Sequence, residues 1–478
     1  QQSQQQQQQQ LSSPMTGGYN IEQECAASGG FISFELITGY VLSAPADSMV
    51  MQPGTLQLTD CLNLCRQNSS CLAINFETGL CVLLQESADK NPQALQKSQF
   101  PVFTIYAHKI CLQGDRTNRC LKSWSFERVI GWVLNNLEKK TILTKTRLEC
   151  LLACYNEQAF QCRSFNYDSA SGSCSLSDMD RHSLPSAALK RRHYVESTVD
   201  TIDYGENNCI QEARGICDFK PLANRILKTV DSIYQDIKTE PECRKRCLQA
   251  PYRCHSYDLG DSSNPVCRTS HLDRNSLQQI QEPYLDIQGA LSYELDSCYN
   301  VTVLCKSREM VARVKTNKIF NGKIYAKNAP LSCMNDITNS MDFELSMAFN
   351  DQCNIVKSHS NGVFSNEIVL QHNDMIVTNS DMGLNVKCQY DLRNQTVYNN
   401  INLDDFMSGR EPIDIASQSA VVRSPNISMQ ILRQDGNHIT QAQVGDSLLL
   451  RFQITDERSP FEIFVRDLYA MDGVGGAE

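Results

Sequence analysis

Hydrophobic and polar residues alternate with a period of two in three short stretches that occupy equivalent places. They are Cys71-Leu-Ala-Ile-Asn-Phe76, Cys162-Arg-Ser-Phe-Asn-Tyr167 and Cys254-His-Ser-Tyr-Asp-Leu259. Such alternation is typical of strands with one buried face. A Cys-x3-Cys pair precedes each stretch, and residues at i and i+4 share one face of a helix. The pattern therefore predicts units of one helix packed on a small antiparallel sheet.

Two of the predicted helices have a start signal. Thr146-Arg-Leu-Glu149 and Thr239-Glu-Pro-Glu242 match the capping box, in which a Thr and a Glu satisfy free N–H groups at a helix start. The first unit has the weaker signal Gln57…Asp60. We expect the helices to begin next to these residues.

Composition restricts the class of protein. The chain has 478 residues, 41% of them hydrophobic, and a net charge of −10. This length is enough for about three to five domains of roughly 100–150 residues. An acidic chain lacks the concentrated Lys and Arg of a nucleic-acid-binding surface, so no nucleic-acid partner is expected.

The chain contains 22 cysteines and only eight histidines, and no Cys-x2-Cys pair. Zinc sites are therefore a poor fit, and disulfide bonds in an oxidising compartment are the simpler interpretation. We expect no metal and no cofactor. Four N-glycosylation sequons agree with a secretory route. Their asparagines are Asn68, Asn300, Asn394 and Asn426.

The first eighteen cysteines form three groups of six with one spacing pattern: long, three, short, medium, long. The groups are Cys25, Cys61, Cys65, Cys71, Cys81 and Cys111; Cys120, Cys150, Cys154, Cys162, Cys174 and Cys209; and Cys217, Cys243, Cys247, Cys254, Cys267 and Cys298. A tyrosine lies five positions before the last cysteine of each group, at Tyr106, Tyr204 and Tyr293. The first two groups also share Phe-Glu-x-x-x-Gly-aromatic, beginning at Phe34 and Phe126. The chain thus repeats one module three times.

This six-cysteine module resembles the PAN/apple domain. Spacing alone allows 15 pairings per repeat, and the resemblance implies first to sixth, second to fifth and third to fourth. The implied bonds are Cys25–Cys111, Cys61–Cys81, Cys65–Cys71, Cys120–Cys209, Cys150–Cys174, Cys154–Cys162, Cys217–Cys298, Cys243–Cys267 and Cys247–Cys254.

The C-terminal third has four cysteines and strand-like stretches, without helical periodicity. The stretches include residues 310–314, 343–347 and 368–371, and they favour an immunoglobulin-like sandwich. This region is similar to the N-terminal half of a zona pellucida (ZP) module. Within it, the segment 368–381 is similar to the central strands of that half. The resemblance implies the bonds Cys305–Cys388 and Cys333–Cys353.

A polar connector follows, and strands are predicted again at 427–432, 447–455 and 461–469. These strands resemble the start of the C-terminal ZP half. That half's cysteines, processing site and apolar tail are missing, so we expect a C-terminally truncated chain whose membrane anchor, if it has one, is absent from this sequence.

The predicted fold class is α+β and all-β multidomain: three PAN/apple modules, an immunoglobulin-like ZP-N sandwich and a partial ZP-C sandwich. The expected divisions are a disordered Gln-rich tail 1–24, PAN domains 25–111, 120–209 and 217–298, ZP-N 302–399, a linker 400–423 and partial ZP-C 424–478.

Tandem PAN domains followed by a ZP module resemble the ZP proteins of the apical extracellular matrix of arthropod and nematode cuticle. The resemblance covers residues 25–478 and implies a secreted, non-enzymatic matrix protein at or near the apical cell surface. Its ZP module would polymerise with itself or with other ZP proteins by association of strand edges, after precursor cleavage releases an inhibitory segment. Its PAN domains would bind proteins or glycans.

Two alternatives remain at this point. The chain could be a receptor-like or adhesive ectodomain that recognises a soluble ligand through its PAN domains. It could also be the non-catalytic arm of a protease zymogen, which the absence of a protease domain disfavours. No Gly-x-Ser-x-Gly, His-Glu-x-x-His or phosphate-binding glycine loop occurs, so no catalytic residue is assigned.

Three remaining features have plain interpretations. Lys190-Arg191-Arg192 is expected to be a solvated basic loop rather than a processing site or a glycan contact. The tract Gln4–Gln10 is expected to be a disordered tail. Trp124 and Trp132 are expected to pack in the core, with Trp132 at the place of Tyr40.

Overall fold

The structure, a computed structural model, describes residues 21–98, 102–114, 119–260, 265–306, 308–358, 362–373, 381–390, 413–415, 419–420, 427–439 and 446–455, and the single residues Ile463, Val465 and Leu468. The chain divides into two compact units, residues 1–212 with 217–297 and residues 213–216 with 298–478. The Gln tract, Asn394, Asn426, most of the connector and most of the predicted strand 461–469 lie outside the described residues.

The first repeat has two helices and seven strands. They are α1 (Ile21–Ala27), β1 (Phe31–Thr38), β2 (Tyr40–Leu42), β3 (Met49–Thr55), α2 (Leu58–Gln67), β4 (Ala73–Glu77), β5 (Gly79–Leu84), β6 (Leu95–Lys97) and β7 (Ile105–Leu112). Residues 21–24, which the sequence assigned to the tail, are helical because α1 is held at both its ends. Glu22 pairs with Lys109 at 2.6 Å, and Cys25 is bonded to Cys111.

The second and third repeats follow the same plan. The second contains β8 (Phe126–Ile130), β9 (Trp132–Leu134), β10 (Lys140–Leu143), α3 (Arg147–Tyr155), β11 (Ser164–Asp168), β12 (Ser173–Ser177), α4 (Ala187–His193), β13 (Tyr194–Glu196) and β14 (Ile202–Asn207). The third contains β15 (Ile216–Leu227), β16 (Ser232–Tyr234), α5 (Glu240–Leu248), β17 (Ser256–Asp258), β18 (Cys267–Ser270) and the first part of β19 (Tyr284–Cys305).

The helices α2, α3 and α5 carry the Cys-x3-Cys pairs, and both cysteines of each pair are buried. The capping box is present in only one of the two predicted places. Thr146 Oγ1 accepts the N–H of Glu149 at 3.2 Å. Thr239 makes no such bond, because its hydroxyl donates instead to the Glu242 carboxylate at 2.6 Å.

The first and second repeats share one ten-stranded sheet, in the order β10-β12-β11-β14-β8-β1-β7-β4-β5-β3. The joint is a parallel pairing of β1 with β8, in which Glu35 lies opposite Phe126 and Leu36 opposite Glu127. All other neighbours in this sheet are antiparallel. The repeats are therefore joined through backbone hydrogen bonds as well as through side chains.

The second unit contains the later part of β19 and the strands β20 (Glu309–Ala326), β21 (Met334–Ala348), β22 (Val356–Ser358), β23 (Val363–Gln371), β24 (Met382–Tyr390), β25 (Ile413–Ile415), β26 (Ser419–Ala420), β27 (Ile427–Arg433) and β28 (Leu448–Ile454). Strands β19, β20, β21, β23 and β24 enclose one apolar core. The division of these strands into two facing sheets stays a prediction. Strands β27 and β28 form a separate antiparallel ribbon.

Two predictions, for the connector and for the basic run, differ from the structure. The connector contains two short strands, β25 and β26. The basic run Lys190–Arg192 lies in helix α4 rather than in a loop, because the Ser186 hydroxyl accepts the N–H of Leu189 and begins the helix. Lys190 is only 6% exposed, so the run is not a fully solvated basic segment.

Among the described residues, none of the helices has the length and apolar composition that a membrane-spanning helix requires.

Candidate functional site

A cluster of buried charged side chains lies where the second and third repeats meet. We call it the junction cluster; it contains six carboxylates, three arginines and three histidines whose side chains are almost wholly inaccessible to solvent. Its members are Glu127, Arg163, Asp180, Arg181, His182, Glu206, Glu212, Asp231, Arg253, His255, His271 and Asp273. Charged residues this deeply buried require partners.

Turns after equivalent strands place part of the cluster. After β12, Asp180 Oδ1 accepts the N–H groups of His182 (2.9 Å) and Ser183 (2.7 Å). After β18, Asp273 Oδ1 accepts those of Asn275 and Ser276, both at 2.9 Å. This is the local Asp–backbone turn that short acidic side chains favour. The second oxygen of Asp180 meets Arg253 at 2.8 Å, and that of Asp273 accepts the side-chain N–H of Asn275 at 2.8 Å and lies 3.5 Å from His182 Nδ1.

Arg253 connects the third repeat to the second. Its guanidinium lies 2.8 Å from Asp180 Oδ2 and 3.2 Å from Glu206 Oε1, and it also pairs with Glu212. Burial acts to lower the pKa of Arg253, but the three carboxylates outweigh it and the pKa is raised well above its ordinary value. Arg253 is thus a fixed positive charge shared by three anions.

Glu127 collects contacts from all three repeats. Thr38 of the first repeat donates its hydroxyl to Oε1 at 2.9 Å, and Arg181 of the second pairs with Oε2. His271 of the third lies 3.7 Å from Oε1. Burial acts to raise the pKa of Glu127, but Arg181 and His271 hold it well below its usual range. A single carboxylate therefore links the three modules electrostatically.

The three histidines have different surroundings. His271 Nδ1 lies 2.8 Å from both carboxylate oxygens of Asp231. Burial acts to lower the pKa of His271, but Asp231 and Glu127 raise it to about 10. The rings of His182 and His255 stack across the contact, with centroids 3.8 Å apart. Burial, with the charges of His182 and Arg253, lowers the pKa of His255 well below its ordinary value.

The first repeat contacts the other two by different means. Against the second, Arg147 pairs with Glu35, which also lies 3.5 Å from His108 Nε2 within the first repeat. Against the third, Phe103 packs with Leu227, Val230, Leu272, Leu277 and Ile280, and the Thr78 hydroxyl donates to the Val230 carbonyl at 2.9 Å. The second and third repeats also meet through aromatic rings: Trp124 of the second stacks on Tyr252 of the third, with ring centroids 4.9 Å apart. The three modules therefore pack together rather than lie as beads on a string.

The chemistry available to the junction cluster is limited. Its carboxylates neutralise arginines, and among the described residues no group of His, Cys, Asp and Glu could hold a metal ion. Its side chains are closed to a substrate by the packing of the repeats. The arrangement can hold the repeats together and can exchange protons with solvent when the contact opens.

The structure places every cysteine in a disulfide bond, and all 22 cysteines belong to the described residues. Ten bonds join the same partners as the resemblance implied: Cys25–Cys111, Cys61–Cys81, Cys65–Cys71, Cys120–Cys209, Cys150–Cys174, Cys154–Cys162, Cys243–Cys267, Cys247–Cys254, Cys305–Cys388 and Cys333–Cys353. Cys217 and Cys298 are disulfide-bonded as well.

Two of the predicted glycosylation sites lie in the described residues. Asn68 is exposed and ends helix α2. Asn300 is exposed too, but its Oδ1 accepts the N–H groups of Arg214 (3.0 Å) and Gly215 (2.7 Å). The Asn300 side chain therefore has a structural role, in accepting these two hydrogen bonds, that is independent of any glycan.

Sequence reasoning missed one repeated contact. The Asn75 side chain donates to the Leu42 carbonyl at 2.9 Å and accepts the Leu42 N–H at 3.0 Å. Asn166 makes the same pair of bonds to Leu134, at 2.8 and 3.0 Å. In the sequence, only the Asn that the first two alternating stretches share at the same place could have indicated this contact. The third repeat has Asp258 in that place.

The repeated tyrosines are equivalent in only two repeats. Tyr106 lies opposite Asn75 and Tyr204 opposite Asn166, whereas Asp258 lies opposite Ser292. A shift of one residue turns a side chain to the other face of a sheet. Tyr293 accordingly stacks on Tyr257 at 5.0 Å.

Comparison with known proteins agrees with this architecture. The model described as "PAN domain" matches residues 25–111, 120–209 and 217–298, and the "Cuticlin N-terminal domain" model matches residues 300–390. Protein let-653 of Caenorhabditis elegans is 28% identical over 146 residues, which are 29% of this chain and 17% of that protein. The chain therefore spans less than a fifth of that relative's length.

Two solved structures are similar to parts of this chain. The two N-terminal apple domains of Toxoplasma gondii microneme protein 4 match with 15% identity and a TM-score of 0.13, covering 35% of this chain and 86% of that one. Toxoplasma gondii sporozoite AMA1, in complex with a region of RON2, matches with 12% identity and a TM-score of 0.11, covering 32% and 57%.

The PAN and cuticlin families are structural or adhesive rather than enzymatic, and together with the disulfide-rich framework they indicate an extracellular matrix protein. The PAN model covers more than half of the residues. The chain therefore belongs to the PAN-domain family, with three PAN domains followed by a cuticlin N-terminal domain.

Proposed function

We propose that this protein is a non-enzymatic structural component of an apical extracellular matrix or cuticle. It assembles through its cuticlin N-terminal domain, and its PAN domains bind proteins or glycans of the matrix. The proposal includes the eleven disulfide bonds, the domain boundaries given above and N-linked glycans on the four sequon asparagines.

The edge of the cuticlin domain carries the proposal. Strand β24 pairs in antiparallel fashion with β23 on one side. On its other side it pairs in parallel with β25, Leu384 opposite Ile413 and Val386 opposite Ile415, and with β26. The added strands come from the connector, more than twenty residues beyond β24.

An edge that accepts a connector strand from its own chain can accept the same strand from a neighbouring copy. Main-chain hydrogen bonds supply the affinity in such strand addition. Exchange of an identical element between copies needs no new surface. Repeated from copy to copy without closing, it produces a filament.

The PAN domains contribute through their outer surfaces. The faces around the junction cluster are occupied by neighbouring repeats, so a protein or glycan ligand must bind elsewhere. The edge strand β3 is one accessible place, with Val50 and Met51 exposed. Screening of matrix proteins and glycans for binding to the secreted protein tests this role of the PAN domains.

The experiment compares the oligomeric state of the secreted full-length protein with that of two variants by analytical ultracentrifugation. Ile413→Pro/Asp414→Pro/Ile415→Pro removes every N–H donor of β25, and Ile413→Val/Ile415→Val keeps them all. We expect wild type and the valine variant to form oligomers that grow with concentration, and the proline variant to remain monomeric. Monomers in all three, with saturable binding of one soluble partner, would favour the receptor-like ectodomain.

The disulfide framework has its own test. Peptide mapping by mass spectrometry without reduction should recover the eleven pairs. A peptide in which Cys61 is linked to Cys65 would refute the pairing, because both cysteines lie on one face of α2 and are assigned to Cys81 and Cys71.

A further inference from the structure

The contact between the second and third PAN domains contains a histidine whose surroundings disfavour its charged form. His255 directly follows Cys254 and is buried. Its Nδ1 lies 2.9 Å from the carbonyl oxygen of His271. A carbonyl only accepts hydrogen bonds, so Nδ1 carries the proton of the neutral ring.

Charged groups from several segments surround His255. Strand β19, whose Leu295 N–H donates to the His255 carbonyl at 2.8 Å, carries Glu294, and His271 directly follows β18. The turn after β12 supplies His182 and Asp180, and β14 supplies Glu206. The connector between the repeats supplies Glu212, the residue before Cys254 is Arg253, and the turn after β18 supplies Asp273. Of these, His182 and Arg253 oppose a positive charge on His255, whereas Glu212 and Asp273 favour it.

The carboxylates are already engaged with other side chains. Asp180, Glu206 and Glu212 contact Arg253, and Asp273 lies 3.5 Å from His182 Nδ1. A proton on His255 would add a charge to a ring whose centroid is 3.8 Å from that of His182. Separation of the two domains would relieve this repulsion and restore hydration.

We propose that the contact between the second and third PAN domains is an acid-released latch, in which proton uptake at His255 separates His182 and Arg253 from their partners and opens the junction cluster. The disulfide bonds lie within the domains and stay intact. Opening would uncover Trp124 and Tyr252, which stack on each other across this contact.

The direction of the pH dependence follows from linkage. The closed contact holds His255 neutral, and the opened contact gives it an ordinary pKa of about 6.5. The contribution of His255 to the closed form is therefore complete above about pH 6.5 and is lost as the pH falls below it. While His255 alone titrates, the open-to-closed ratio rises roughly tenfold for each further pH unit. Asp180 and Asp273, whose carboxyl pKa values are lowered in the closed form, add to this effect only in more acidic solution.

Trp124 is 1% exposed and reports on this contact. In a Trp132→Phe background it is the only tryptophan. We expect its emission to shift to the red, and acrylamide quenching to increase, as the pH falls from 7.5 to 5, with no free thiols appearing. His255→Gln should abolish this transition. His193→Gln, a control in the second repeat and outside the cluster, should keep it.

A second measurement does not depend on the folding of a variant. Hydrogen exchange of the wild-type protein, corrected for the intrinsic pH dependence, should show lost protection at residues 121–126 and 249–256 at pH 5.5, while β4 and β5 of the first repeat keep theirs. Unchanged protection at pH 5.5 would overturn the proposal. A Trp124 transition that survives in His255→Gln but disappears in His108→Gln would overturn it too, since it would assign the response to the contact between the first two domains.

Discussion

Arg253 and Asp180 belong to different PAN domains, and their side chains form an ion pair of 2.8 Å in which neither is accessible to solvent. Removing one partner of such a pair leaves the other charge buried and uncompensated. The domains of this chain are therefore held by interactions that are expensive to break singly.

Arg253→Met should reduce the free energy of unfolding by about 3–5 kcal/mol, the usual cost of breaking a buried pair on one side. The matched control is Arg225→Met in the same repeat, whose side chain is 54% exposed beside Asp286, which is 80% exposed. That change should cost about 1 kcal/mol or less. Guanidinium denaturation followed by fluorescence measures both, and equal losses would contradict the account.

Asn75→Asp should destabilise the first repeat by about 1–3 kcal/mol, because the Leu42 carbonyl loses its donor and a carboxylate faces it instead. Asn166→Asp should act alike on the second repeat through Leu134. Asn63→Asp, at an exposed position of helix α2, is the control and should change stability little. Thermal melts compare the three; similar midpoints would show that the carboxamide contacts are dispensable.

His271 should stabilise the fold in neutral solution and lose this effect in alkaline solution. Its pKa is raised to about 10 in the folded protein, against an ordinary value of about 6.5. Its stabilisation is complete below pH 6.5 and declines as the pH rises through about 10. The difference in unfolding free energy between wild type and His271→Gln, measured from pH 6 to 10, should shrink steadily. A difference that grows with pH would exclude the Asp231 pairing.

Asn300 allows its structural and glycan roles to be separated. Thr302→Ala removes the sequon and keeps the hydrogen bonds to Arg214 and Gly215, whereas Asn300→Ala removes both. We expect both variants to lose one glycan by mass spectrometry. Only Asn300→Ala should also lose stability, by about 1–3 kcal/mol. Equal stability of the two variants would assign no structural role to the side chain.

The sequence predicted the modules because their cysteines act locally. Two cysteines four residues apart define a helix face, and the next cysteines lie within about thirty residues along the chain. The period of two in the strands around Asn75 and Asn166 likewise depends on neighbouring residues. These signals repeat three times, so each copy supports the others.

The packing of the modules could not be predicted in this way. Glu127 meets Thr38 and His271, residues 89 and 144 positions away, and no periodicity marks them. The Phe-Glu motif indicated a shared strand but not that its glutamates, Glu35 and Glu127, are buried against other repeats. The parallel pairing of β1 with β8 depends equally on tertiary contacts.

Electron microscopy of the secreted full-length protein in negative stain tests the central claim, assembly through the edge of β24. We expect filaments for the wild type and for Ile413→Val/Ile415→Val, and isolated particles for Ile413→Pro/Asp414→Pro/Ile415→Pro. Isolated particles in every sample, or filaments that persist in the proline variant, would contradict it.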